Sequence, residues 1–153
     1  MWESKSEKEE YERLRIENDK KAEKGLKKLK AAAAAELIIW ILHIAVIGEV
    51  SWYAALFIII LPLIALFGYF TNRTLGFYVF AAFLTLQLAF IYLDCHRLVF
   101  LLVAVFSKNG ADFSVWFAIF IVVATIVLYC ASCEVAIFDR DVRVWRVYGR
   151  RRI

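Results

Sequence analysis

The chain has 153 residues, 63% of them hydrophobic and 16% aromatic, with mean hydropathy +0.66 and a formal charge of +4. A soluble domain of this length is nearer half apolar, so the composition excludes a water-facing globule as the whole of the chain. Charge is also segregated: residues 31–138 hold eight Asp, Glu, Lys and Arg side chains, and the two tails hold the other twenty-six.

The N-terminal stretch SEKEEYERLRIENDKKAEKGLKKLK is built from strong helix formers. Glu9–Arg13, Glu17–Lys21 and Glu23–Lys27 are spaced i,i+4 in the favourable order and support a solvated helix. A thin stripe of Tyr11, Leu14, Asn18, Ala22, Leu26 and Leu29 runs along one side, and Gly25 is the expected flexible point. Residues 20–30 carry six lysines and one glutamate, a basic block suited to anionic lipid headgroups through Lys27, Lys28 and Lys30. A tail so charged is neither a cleavable secretory signal nor an acid-poor mitochondrial presequence, so the first span is expected to act as its own uncleaved signal.

Four apolar stretches follow, at about 31–47, 50–70, 75–106 and 113–138. Runs of this length with few charges read as membrane spans. The expected fold is therefore an all-α membrane protein, a four-transmembrane-helix bundle of two antiparallel hairpins. Its three parts are a charged helical tail (1–30), the membrane domain (31–138) and a basic tail (139–153). GEVSW, TNRT and SKNGAD supply the turns, and Pro62 is expected to interrupt the second span. The tails carry sixteen Lys and Arg, and Arg73 of TNRT falls on their side; Lys108 stands alone in the opposite turns. By the positive-inside rule both termini face the cytoplasm, or the matrix of a mitochondrion. Endomembrane or plasma membrane is expected over the mitochondrial inner membrane. On this topology the Asn72 sequon lies on the wrong face for glycosylation.

The short basic turn between the second and third spans, with both tails inside, resembles several tetraspan groups, MARVEL-type proteins among them. The resemblance covers layout alone. A tetraspanin would need a large cysteine-rich loop where this chain has SKNGAD.

IYLDCHRLVF places Asp94, Cys95, His96 and Arg97 inside the longest apolar run. Leu75 to Leu93 already rises roughly 28 Å, so these residues are expected beside the Glu49–Trp52 turn at the outer interface. The second hairpin then projects about nine residues further and must either sink and tilt or be covered by another protein. If it sinks, Asp94 and Arg97 enter the membrane and pair i,i+3, with Glu49 as a second acid. His43 and Gln87 each lie twelve residues into their spans, a shared depth at which they would hydrogen-bond.

Cys130 and Cys133 form C-x-x-C near the inner end of the fourth span, where packing, acylation or thiol redox chemistry are the candidate roles. Glu134 is expected to be structural. In the C-terminal tail, Arg143, Arg146 and Arg150 alternate with Val142, Trp145 and Tyr148, the pattern of a basic interfacial helix. Arg150, Arg151 and Arg152 are further headgroup candidates. Phosphate-binding loops, dinucleotide fingerprints, zinc-ligand spacing and nucleophile–histidine–acid sets are absent from the sequence. The expectation is a non-catalytic membrane scaffold or accessory subunit. It has no cofactor or metal, with lipids and other membrane subunits, not nucleic acid, as partners. The alternatives are a small transporter, channel or proton-handling protein using Asp94, His96, His43 and Gln87, and a thiol-redox enzyme using Cys130 and Cys133.

Overall fold

A computed structural model describes residues 5–47, 52–71, 73–107 and 112–148. Five helices account for nearly all of them: α1 (Lys5–Ile47), α2 (Trp52–Thr71), α3 (Arg73–Ser107), α4 (Phe113–Ile137) and α5 (Arg140–Tyr148). No strand occurs among the described residues. Among the described residues, α1, α3 and α4 contain stretches long and apolar enough to cross a membrane, and α2 contains the apolar stretch Ile58–Phe67. Glu49, Lys108, Asn72 and Arg150–Arg152 lie outside the described residues, as do most of the GEVSW and SKNGAD turns.

α1 packs against α2 and α4, and α3 packs against the same two, so α1 and α3 face each other across the diagonal of a four-helix bundle. The buried positions explain the packing. On α1 they include Leu29, Ala33, Glu36, Trp40 and His43; on α3 they include Phe80, Leu84, Gln87, Ile91 and Asp94, with Phe83 beside them. Phe83 apart, both sets alternate steps of four and three. That 3.5-residue repeat keeps one seam facing inward along the whole bundle, as in coiled coils. Val122, Thr125, Ser132 and Ala136 on α4 follow the same repeat. Residues outside the seam are apolar too, with Leu86, Tyr92, Phe100 and Phe120 more than half exposed, as suits a bundle solvated by lipid.

The tail and the first span are one uninterrupted helix, α1. Two expectations need correction. Gly25 is not a hinge: a Cβ there would lie 2.3 Å from the backbone oxygen of Asp141, and the missing side chain is what lets α5 cross so closely. Pro62 does not break α2, which runs helical through it with the proline buried. Packed neighbours make such a proline tolerable inside a membrane bundle.

α5 closes the end of the bundle from which the N-terminal tail extends. Asp139 is its N-cap, the Oδ1 atom accepting from the backbone N–H of Asp141 (2.8 Å) and of Val142 (3.2 Å). Val142 and Trp145 are buried in the main core cluster with Leu29 and Ala33. The amphipathic pattern read in the tail is thus present, but its apolar face rests on α1 and not on lipid. Lys28 donates to Asp139 (2.6 Å) and Asp141 (2.8 Å), and Lys24 adds a longer pair to Asp141. The Arg146 guanidinium lies 5.1 Å above the Phe77 ring, joining α5 to the start of α3. Those carboxylates hold the Lys28 ammonium above its ordinary pKa. Burial pushes Asp139 up, but Lys28 and the two backbone N–H groups outweigh it and leave the carboxyl below its usual range.

Candidate functional site

The heptad seam places polar side chains where a bundle core expects apolar ones. Glu36, Trp40 and His43 follow one another on α1 at steps of four and three, and Gln87 and Asp94 face them from α3. Each is at most 2% exposed. Because α1 and α3 are diagonal partners, these side chains meet on the bundle axis.

Two hydrogen-bonded stations result. Gln87 Nε2 donates to Glu36 Oε2 at 2.9 Å. Two turns along, His43 Nε2 donates to the Asp94 carboxylate, at 2.9 Å to Oδ2 and 3.1 Å to Oδ1. Arg97 Nη1 stands 3.6 Å from Asp94 Oδ1, so the carboxylate is flanked by a histidine and a guanidinium. Trp40 separates the stations, its ring 4.8 Å from that of His43 and 5.7 Å from that of Phe90. Around Glu36, the Trp40 indole N–H and the Ser132 hydroxyl both bear on the carboxyl. Yet Glu36 Oε1, Gln87 Oε1, Trp40 Nε1, Ser132 Oγ and His43 Nδ1 are buried atoms without a hydrogen bond.

The predicted site residues therefore divide. His43, Gln87, Asp94 and Arg97 come together on the axis, but the expected His43–Gln87 bond does not form. Both stations join residues fifty-one apart, whereas equal depth from the span starts implies forty-four. α3 is thus displaced by seven residues, about 10 Å, relative to that expectation. The displacement lowers Asp94 from the expected outer turn to the level of His43, inside the bundle. His96 leaves the group: it is exposed and packs edge-on against Tyr92 at 4.7 Å.

Cys130 is exposed and Cys133 half-buried beside Tyr129 on α4. Lys27 is exposed and pairs with Glu23, while the Lys28 ammonium is taken up by the α5 carboxylates. Past Asp94, a cleft of about 460 Å³ opens between the ends of α1, α3 and α4, lined by Val46, Ile47, Arg97, Phe100, Leu101 and Ala104, and by Ala118. Among the described residues no group of three His, Cys, Asp or Glu side chains is placed to hold a metal ion.

Sequence reasoning passed over Glu36, Trp40 and Ser132. The signal was present, since 29, 33, 36, 40 and 43 continue the stripe already visible at 22, 26 and 29.

Fold and axis together define an all-α membrane protein with a buried polar core. Compared with known proteins, the chain matches no family model, no curated protein and no solved structure.

Proposed function

We propose that the chain is a four-span integral membrane protein that works without chemistry of its own, as a scaffold or accessory subunit of a larger membrane assembly. The observation that carries this reading is the overhang of the α3–α4 hairpin. By the register of the two stations, Ile47 stands level with Leu98, so α3 continues about nine residues, some 14 Å, beyond the last described residue of α1. Val99, Phe100, Val103 and Phe106 on α3 are largely exposed there, as are Phe113 and Trp116 on α4. Aromatic surface concentrated at one end of a hairpin is the kind of patch that marks a protein interface.

α2 supplies the fourth span in this reading: its twenty residues rise about 30 Å, and it packs against both α1 and α3. Lys and Arg concentrated in both tails support termini on the cytoplasmic side. Lys27 and Lys30, with Arg150–Arg152, fit anionic headgroups. Other membrane subunits are the main partners, nucleic acid is not among them, and the membrane is an endomembrane or the plasma membrane. A photo-crosslinking amino acid at Phe100 or Phe106 in native membranes tests the reading. Discrete protein adducts are expected from both positions. Lipid adducts alone, with the protein migrating as a single-chain micelle in every mild detergent, would sink it.

A further inference from the structure

The overhang concerns one end of the bundle; the Glu36 station lies two turns below the other polar pair and raises a separate question. Its carboxyl is fully buried and faced by neutral groups: Gln87 from α3, Ser132 from α4 and Trp40 from its own helix. Its charge bears on two titratable groups of α4, Tyr129 and Cys133. The described core residues of α2, Ile58, Pro62 and Ala65, are apolar, and α5 turns Val142 and Trp145 to the core. The charged groups of α5 that lie nearest α1, Asp141 with its cap Asp139, are engaged by Lys28 and Lys24. His43, Asp94 and Arg97 form their own cluster two turns away.

The donor and acceptor inventory of this station does not close. Gln87 gives one N–H to Glu36 Oε2; Glu36 Oε1 has the unpaired Trp40 indole N–H and Ser132 hydroxyl bearing on its carboxyl, so the acceptor left without a donor is the Gln87 carbonyl oxygen. An ionised carboxylate has no donor to offer it. A proton on the carboxyl supplies one, which the Gln87 amide accepts through its carbonyl oxygen while its own N–H still donates to Glu36. Without the proton, the same amide only donates to the carboxylate. Few side chains can partner both forms of a carboxyl, and an amide is one of them. Ionisable groups inside a membrane bundle are costly and mark functional sites.

We propose that the Glu36–Gln87 pair is a proton-binding site on the bundle axis, with the Gln87 amide partnering Glu36 with and without its proton. The step is a proton transfer alone: an O–H bond of a hydronium ion from the aqueous phase breaks, the Glu36 O–H bond forms, water is left behind, and release is the reverse. Uptake adds a hydrogen bond donated from α1 to α3 across the diagonal, so the fit of α1 against α3 follows the proton.

Infrared difference spectroscopy of the full-length protein in lipid vesicles, acid minus alkaline, reads the site directly. The wild type, with carbon-13 glutamate as a control, is expected to show a carboxylic-acid C=O band that exchanges slowly in D2O. Glu36→Gln, which keeps the shape and a hydrogen bond to Gln87, is expected to lose that band entirely. Gln87→Leu is expected to keep it but move it to higher frequency, because the acid loses its partner. A folded Glu36→Gln protein with an unchanged band would overturn the proposal. If that variant does not fold, the wild type still decides: no slowly exchanging, glutamate-derived band that changes with pH would overturn it equally.

Discussion

Replacing Gly25 by alanine adds a single methyl group at the tightest crossing in the molecule. That carbon would lie 2.3 Å from the Asp141 oxygen, 2.4 Å from its carbonyl carbon and 2.7 Å from the Val142 nitrogen. All three are backbone atoms, so no rotamer change relieves the clash, and α5 must retreat by about 1 Å to restore ordinary contact. Alanine favours the α1 helix itself by about 1 kcal/mol over glycine. Overpacking a close contact typically costs about 1–3 kcal/mol, and the retreat also loosens Val142 and Trp145. We expect the second effect to win, weakening α5 docking by about 1–2 kcal/mol. Hydrogen exchange of the α5 amides in detergent should then lose about 5- to 30-fold in protection, with α1 unchanged. Equal or higher α5 protection in Gly25→Ala would mean that helix propensity dominates and that the crossing does not depend on the absent side chain.

Other perturbations test the remaining contacts. Asp94→Ala should destabilise the bundle more than the double change His43→Ala/Asp94→Ala, with a coupling of about 0.5–2 kcal/mol in a thermal or denaturant series. Additive effects would remove the pair from the account. Trp145→Ala should release α5 and cost about 3–5 kcal/mol of its docking, read as tryptic cleavage at Arg143 or Arg146; intact α5 would contradict the buried placement. The α1–α5 clamp should hold through neutral pH. Asp139 is held below its unfolded value, so its contribution is present above about pH 4 and lost as pH falls through its lowered value. Lys28 is held above its unfolded value, so its share is complete below about pH 10 and lost as pH rises through its raised value. A spin-label distance between α1 and α5 that drifts steadily from acid to alkaline pH would contradict both signs. Finally, a cysteine placed at position 2 and one at position 73 should label from the same, cytoplasmic-type side of sealed vesicles; labelling from opposite sides would dismantle the four-span topology.

What could be read from the sequence was the class and the helices, because long apolar runs and charged tails speak for themselves. The register could not be read. Depth was counted from the start of each span, yet Ala31–Ala35 continues the tail helix without a break, so that start marks nothing physical. The error is two helical turns, enough to assign His43 the wrong partner. Glu36 was hidden for a related reason: beside five alanines it looks like a border charge, and only the 3.5-residue seam running from Leu29 through His43 shows that it points inward. The capping role of Asp139 was legible in FDRDVRVW as an aspartate before an amphipathic turn. Its bond to Lys28 was not, because 111 residues separate them.

The continuity of α1 has a mechanical consequence. α5 grips the helix near Gly25, and the twenty residues from Lys5 to Lys24 extend beyond that grip by about 30 Å. With no break between bundle and tail, this stretch is a lever whose fulcrum is the α5 crossing. A tilt of roughly 10° in the membrane half of α1 would swing its far end by about 5 Å, and an added residue at Ala31–Ala35 would turn its charged faces by about 100°. The aim of the tail is therefore set inside the bundle, by the same side chains that line its axis.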